Sequence, residues 1–167
     1  MKKHQKIIDN EQNPITMKTL LLSAILFFSI LSFGQTANTN YDETLAKSLH
    51  ADELGMKMYV LVILKTGNNN VTDKTVRDSL FRGHFANINR LVALKKMIVA
   101  GPLEKNDRQY RGIFILDVST FDEAQQLLEA DPTIKQHVFV AELYNWYGSA
   151  ALPEYLKTAD KIWKRKP

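Results

Sequence analysis

Few side chains in this 167-residue chain have the type and setting for acid–base chemistry. His84 is the first, in Gly83-His84-Phe85-Ala86-Asn87-Ile88-Asn89-Arg90-Leu91. At helical spacing it shares a face with Leu80, Ile88 and Leu91, so it points toward a sheet rather than water. Two readings stay open: a core histidine satisfied by one hydrogen bond, or a general base or acid. The carboxylate that would make it functional is Asp131, in an Asp131-Pro132 step. An adjacent carboxylate fixes the imidazole tautomer and raises its basicity, as proton transfer requires. An Asp before Pro at a helix end is also ordinary turn chemistry. Trp146 and Tyr147, at the end of the last strand, offer flat walls for a substrate, or pack a terminal helix through Trp163 or Tyr155.

Other chemistries lack their markers. His50 and His137 read as structural or exposed, and His4 lies in a leader. No His-x-His, His-x-x-Glu-His or Glu-x-x-His spacing supports a metal. There is no cysteine, and Gly148-Ser149-Ala150 is not a strand-to-helix nucleophile elbow. Gly67-Asn68-Asn69-Asn70 is a turn rather than a phosphate cradle. Neither residue types nor spacing calls for a cofactor.

Lys18 precedes an apolar run, Leu20–Phe33, broken only by serines. Fourteen residues is short for a membrane span, which needs about 20. The run, followed by Gly34-Gln35-Thr36-Ala37, reads as a secretory signal over 17–34 within a leader of 1–34. Met17-Lys18-Thr19 looks like its natural start. The alternative is a retained N-terminal anchor. Removing 1–34 takes 22 basic and 18 acidic residues to 18 and 16, so the net charge falls from +4 to +2. That is too small for a nucleic-acid partner. An exported, periplasmic or extracellular protein is expected. Membrane contact after cleavage is limited to the basic tail Lys161–Pro167, which reads as a solvated face.

Residues 35–55 read as a linker and an N-terminal helix over Tyr41–Leu54 stopped by Gly55. A strand over Met58–Lys65 follows, then a helix over Thr75–Met97 with Phe81, Phe85, Ile88 and Val92 recurring. Ile98–Ala100 is a short strand ended by Gly101-Pro102, Glu104–Tyr110 a polar turn, and Gly112–Val118 a third strand. Thr120-Phe121-Asp122-Glu123 is a capping box opening a helix that turns Ala124, Leu127 and Leu128 inward and stops at Asp131-Pro132. Val138–Trp146 is the fourth strand. Residues 150–167 form an amphipathic helix, with Leu152, Tyr155, Leu156, Ala159 and Trp163 on one face, and the basic tail.

The core of 56–149 is therefore β-α-β-β-α-β: an α+β ferredoxin-like unit, a four-stranded antiparallel sheet with two helices on one face. A sheet with one wet face should alternate apolar and polar residues. Met58–Leu64 and Ile113–Leu116 do not. Both faces need cover, and two helices supply it for one, so a sheet-to-sheet homodimer is expected.

The strings His84–Leu91, Ala100-Gly101-Pro102-Leu103, Arg111–Leu116, Glu123-Ala124, Asp131-Pro132 and Trp146–Leu152 resemble those of the YCII-related (YciI-like) proteins. The resemblance runs from about Met56 to Leu152 and touches every core element in order. It implies a ferredoxin-like unit paired into a dimeric α+β barrel. It also implies a site made by a helix histidine and the aspartate of an Asp-Pro step, here His84 and Asp131. One member is known as a dehydrochlorinase of a chlorinated aromatic, a lyase, while most have no assigned reaction. The export signal and the extra helices at both ends depart from the family pattern. The expected function is an exported small-molecule lyase or isomerase using a His84–Asp131 proton-transfer pair. The alternative is a non-catalytic dimeric protein that binds a small ligand.

Overall fold

A computed structural model describes residues 38–164, and the leader and the last three residues of the basic tail lie outside that range. The compact unit starts at Asp42. Its elements are α1 (Glu43–Ser48), β1 (Met56–Thr66), α2 (Lys74–Ala93), β2 (Met97–Pro102), β3 (Tyr110–Leu116), α3 (Phe121–Leu128), α4 (Pro132–Lys135), β4 (Phe139–Ser149), a 3-10 turn (Leu152–Tyr155) and α5 (Leu156–Ile162). The four strands form one antiparallel sheet in the order β2-β3-β1-β4. This is the expected ferredoxin-like arrangement.

Local chemistry opens the helices where the sequence says. Asp42, Asp73 and Thr120 cap α1, α2 and α3, their side chains accepting from Leu45, Val76 and Glu123 N–H. The ends differ from expectation. α1 stops at Ser48 and not Leu54, because His50 turns left-handed (φ 56°) and Asp52 collects the N–H groups of Leu54 and Met56. α2 stops at Ala93, not Met97. Lys95 is left-handed (φ 57°), and the Lys95 and Lys96 N–H groups close on the Val92 and Leu91 carbonyls. Met97 therefore begins β2, fully buried in the core.

Gly101-Pro102 lies inside β2 rather than beyond it. Pro102 pairs with Gly112 on an edge strand, where a missing N–H costs no ladder bond. Asp131-Pro132 does not end α3, which closes at Leu128; it opens the short α4, with Asp131 as N-cap and Pro132 in the first turn. Asn145–Gly148 does not end the last strand, which runs to Ser149. Trp163 lies just past the end of α5.

The strands are apolar on both faces, as read. One face carries Val60, Val62, Leu64, Met97, Phe114 and Leu116 against Leu91, Ala124 and Leu128 of α2 and α3. The other carries Tyr59, Ile98 and Ile115, and the chain's own Leu152 and Leu156 fold back over this cluster. The Tyr155 hydroxyl donates to the Ile98 carbonyl and Tyr59 Oη to the Ser149 carbonyl, which fastens the return. Part of the cover expected from a second copy is thus supplied from within.

Candidate functional site

α2 and α4 meet without a side chain between them. A Cβ on Gly83 would stand 2.4 Å from Pro132 Cγ, so only glycine lets the helix approach the Pro132 ring this closely. The next residue on α2 is His84 and the residue before Pro132 is Asp131. The contact sets the two side chains together: His84 Nδ1 lies 2.6 Å from Asp131 Oδ2. Asp131 Oδ1 accepts from the Thr133 hydroxyl at 2.6 Å and from the Thr133 N–H at 2.9 Å. Asp131 is fully buried and His84 nearly so.

Burial alone would push the Asp131 carboxyl up. The hydrogen bonds from His84 and Thr133, with the charge His84 can carry, outweigh it and hold the group below the ordinary carboxylate range. An ionised carboxylate only accepts, so Nδ1 carries the proton of that bond and Nε2 is left as the working nitrogen. No described residue bonds to Nε2, and no unpartnered side-chain nitrogen or oxygen is sealed off among the described residues, so Nε2 is open. The imidazole borders a cavity of about 290 Å³. Phe81, Phe85, Phe114 and Phe139 surround the ring at centroid distances of 5.6 to 6.2 Å. Leu64, Ile88, Pro102 and Gly112 complete most of the apolar lining, and Asn89 and Arg111 add the other polar side chains.

The structure brings His84 and Asp131 together and leaves the two aromatics elsewhere. Trp146 packs on Tyr59 on the opposite sheet face, ring centroids 5.6 Å apart, within the cluster that Leu152 and Leu156 cover. Tyr147 is half-exposed, and its hydroxyl donates to Asp52 Oδ2 at 2.5 Å. Neither borders the His84 cavity. His50 and His137 are exposed turn residues, and no group of three metal-binding side chains occurs among the described residues. Three contributors escaped the sequence reading. Thr133 had a signal, the Asp-Pro-Thr order of a capped helix start. Phe139 and Arg111 had none, because their side-chain direction depends on register.

The four-stranded sheet and its two covering helices make this an α+β protein of ferredoxin-like fold, with a buried imidazole–carboxylate pair beside an apolar cavity. The chain is a member of the YCII-related domain family, which matches residues 58–146. No curated protein matches it. Among solved structures, it is similar to 5-chloro-2-hydroxyhydroquinone dehydrochlorinase (TftG) from Burkholderia phenoliruptrix AC1100, determined in complex with 2,5-dihydroxybenzoquinone. The identity is 24%, over 52% of this chain and 92% of that one, with a TM-score of 0.38.

Proposed function

We propose that this protein is a small-molecule lyase or isomerase in which His84 moves a proton and Asp131 orients it. One observation carries the reading: Nδ1 is held by a buried, doubly anchored carboxylate, while Nε2 has no partner among the described residues and the imidazole borders a cavity. A merely structural histidine needs one satisfied nitrogen and no adjoining space. General acid–base catalysis by a positioned imidazole contributes about 10²- to 10⁴-fold. The proton-transfer members of both reaction classes start by taking a proton from carbon or oxygen. The test is solvent-deuterium incorporation into a panel of small carbonyl C–H acids, with metabolite extracts screened by thermal shift. Wild type should exchange at least one panel member, and His84→Ala should lose about 10²-fold or more. Exchange that survives in His84→Ala would remove the proton-transfer role. Stabilising ligands with no exchange would instead favour the second reading, a binding or accessory protein, which the predominantly apolar cavity lining supports.

The same reading includes a homodimer and export. Ile63, Ile113, Val140 and Tyr144 lie on the sheet face away from α2, beyond the cluster that Leu152 and Leu156 cover, and Val140 and Tyr144 are exposed. A second copy is the economical partner for such a face. Export rests on the Leu20–Phe33 run, which lies outside the described residues. Intact-mass measurement on secreted or periplasmic protein should place the mature N-terminus between residues 35 and 38. A full-length chain confined to the cytosol would defeat the export reading.

A further inference from the structure

The cavity beside His84 carries a positive group whose placement needs explaining. In β3, Gly112 pairs with Leu64 and Tyr110 pairs with Lys65, so Arg111 is an extra residue opposite no partner. Without this bulge, alternation would send Arg111 to the far face with Ile113, because Gly112 and Phe114 face α2. With it, Arg111 lines the cavity on the α2 side. Bulges re-aim single side chains in this way. Arg111 Nε donates to Thr66 Oγ1 at 2.6 Å, which fixes the plane of the guanidinium. Its terminal nitrogens have no hydrogen-bond or salt-bridge partner among the described residues. Arg111 also borders an adjoining hollow lined by Arg77, and no Asp or Glu lines either space.

We infer that the cavity takes a small organic anion, an apolar body carrying one oxyanion, with the oxyanion on Arg111 and the apolar body among the phenylalanines beside His84. Arg111 is exposed, so a neutral ligand would leave the guanidinium hydrated and gain nothing from it, whereas an anion beside it gains charge-assisted hydrogen bonds. An oxyanion takes the planar two-nitrogen recognition that arginine offers. The volume, about 290 Å³, sits at the small end of ligand pockets and limits the body to roughly one ring or a short chain. Arg111 is thus assigned as the specificity-determining residue. The inference rests on the His84 cavity being the functional site, but it concerns binding and not turnover.

The experiment is calorimetric titration of the full mature chain with benzoate and with 4-nitrophenolate, each against a neutral counterpart of similar shape, benzamide and nitrobenzene. Wild type should bind at least one anion about 10-fold or more better than its neutral counterpart, and which anion wins separates carboxylate from phenolate. Arg111→Gln should weaken the anion about 10- to 100-fold and leave the neutral probe unchanged. Thr66→Val, which frees the guanidinium but keeps its charge, should cost less. Equal binding of anion and neutral probe, no binding of any probe at millimolar concentration, or an Arg111→Gln variant that melts normally and binds the anion like wild type would each overturn the inference. None of those results would touch the deuterium-exchange test of His84.

Discussion

At the scale of single residues, Asp131 has two separable jobs. It caps α4 through Thr133 and it holds His84. Asparagine caps a helix about as well as aspartate, so Asp131→Asn keeps the first job and removes the charge from the second. The carboxyl is held below its ordinary value of 3.8 in the folded chain, so ionised Asp131 stabilises the fold. That contribution is fully present above the unfolded value, near pH 4, and fades as the pH falls through the lower folded value. Wild type should therefore melt above Asp131→Asn at neutral pH, and the gap should close below pH 4. A gap that stayed constant in melts across that range would show that the charge has no part in it. His84→Ala and Asp131→Ala should each lower exchange about 10²-fold or more, and the double variant should lose little beyond either, because either change disables the pair.

Gly83 and Pro132 give the element-scale prediction. Glycine inside a helix normally costs about 1 kcal/mol against alanine, so Gly83→Ala on an open helix would stabilise. Here the new methyl meets a proline ring. The expected outcome is a net loss of about 1–3 kcal/mol by thermal or urea unfolding, with weaker His84–Asp131 pairing. Adding Pro132→Ala should restore part of it, and a Gly83→Ala variant more stable than wild type would show that the close approach is not a constraint. The same scale explains what the sequence revealed. The element order and the start of α3 were legible because Thr120 and the β-branched runs state them directly. Ends were not, because four positions that reverse the chain are not glycine. His50, Lys95, Gln109 and His137 all take positive φ. The first, second and fourth close α1, α2 and α4 by the same pair of carbonyl contacts, at positions where a glycine would have announced the turn. The His84–Asp131 pair was legible as two residues and a resemblance. Their meeting was not, since it depends on Gly83 facing Pro132 across 48 residues of chain. Arg111 was illegible for a related reason: a bulge has no composition of its own.

For the whole molecule, the sheet separates two surfaces. His84 and its cavity occupy the α2 side, and the open apolar patch occupies the other. Ile63→Lys places a cation in that patch opposite Glu142, which already pairs with Lys65, and on this half-buried face the long side chain can reach water, so the monomer should keep its fold. Light scattering should give a dimer for wild type at micromolar concentration and a folded monomer for Ile63→Lys. A wild-type monomer would end the dimer reading and leave the His84 chemistry intact. The return of Leu152 and Leu156 over Tyr59 and Ile115 has a consequence for symmetry. A two-fold axis through the middle of a bare sheet would bury the whole face in one plane. In this chain that centre is partly occupied by its own tail, so the axis must shift toward the end where Ile63, Ile113 and Val140 lie. The proposed homodimer would then be staggered, with the two tails as stops on either side of the axis that would limit how far one sheet can slide along the other.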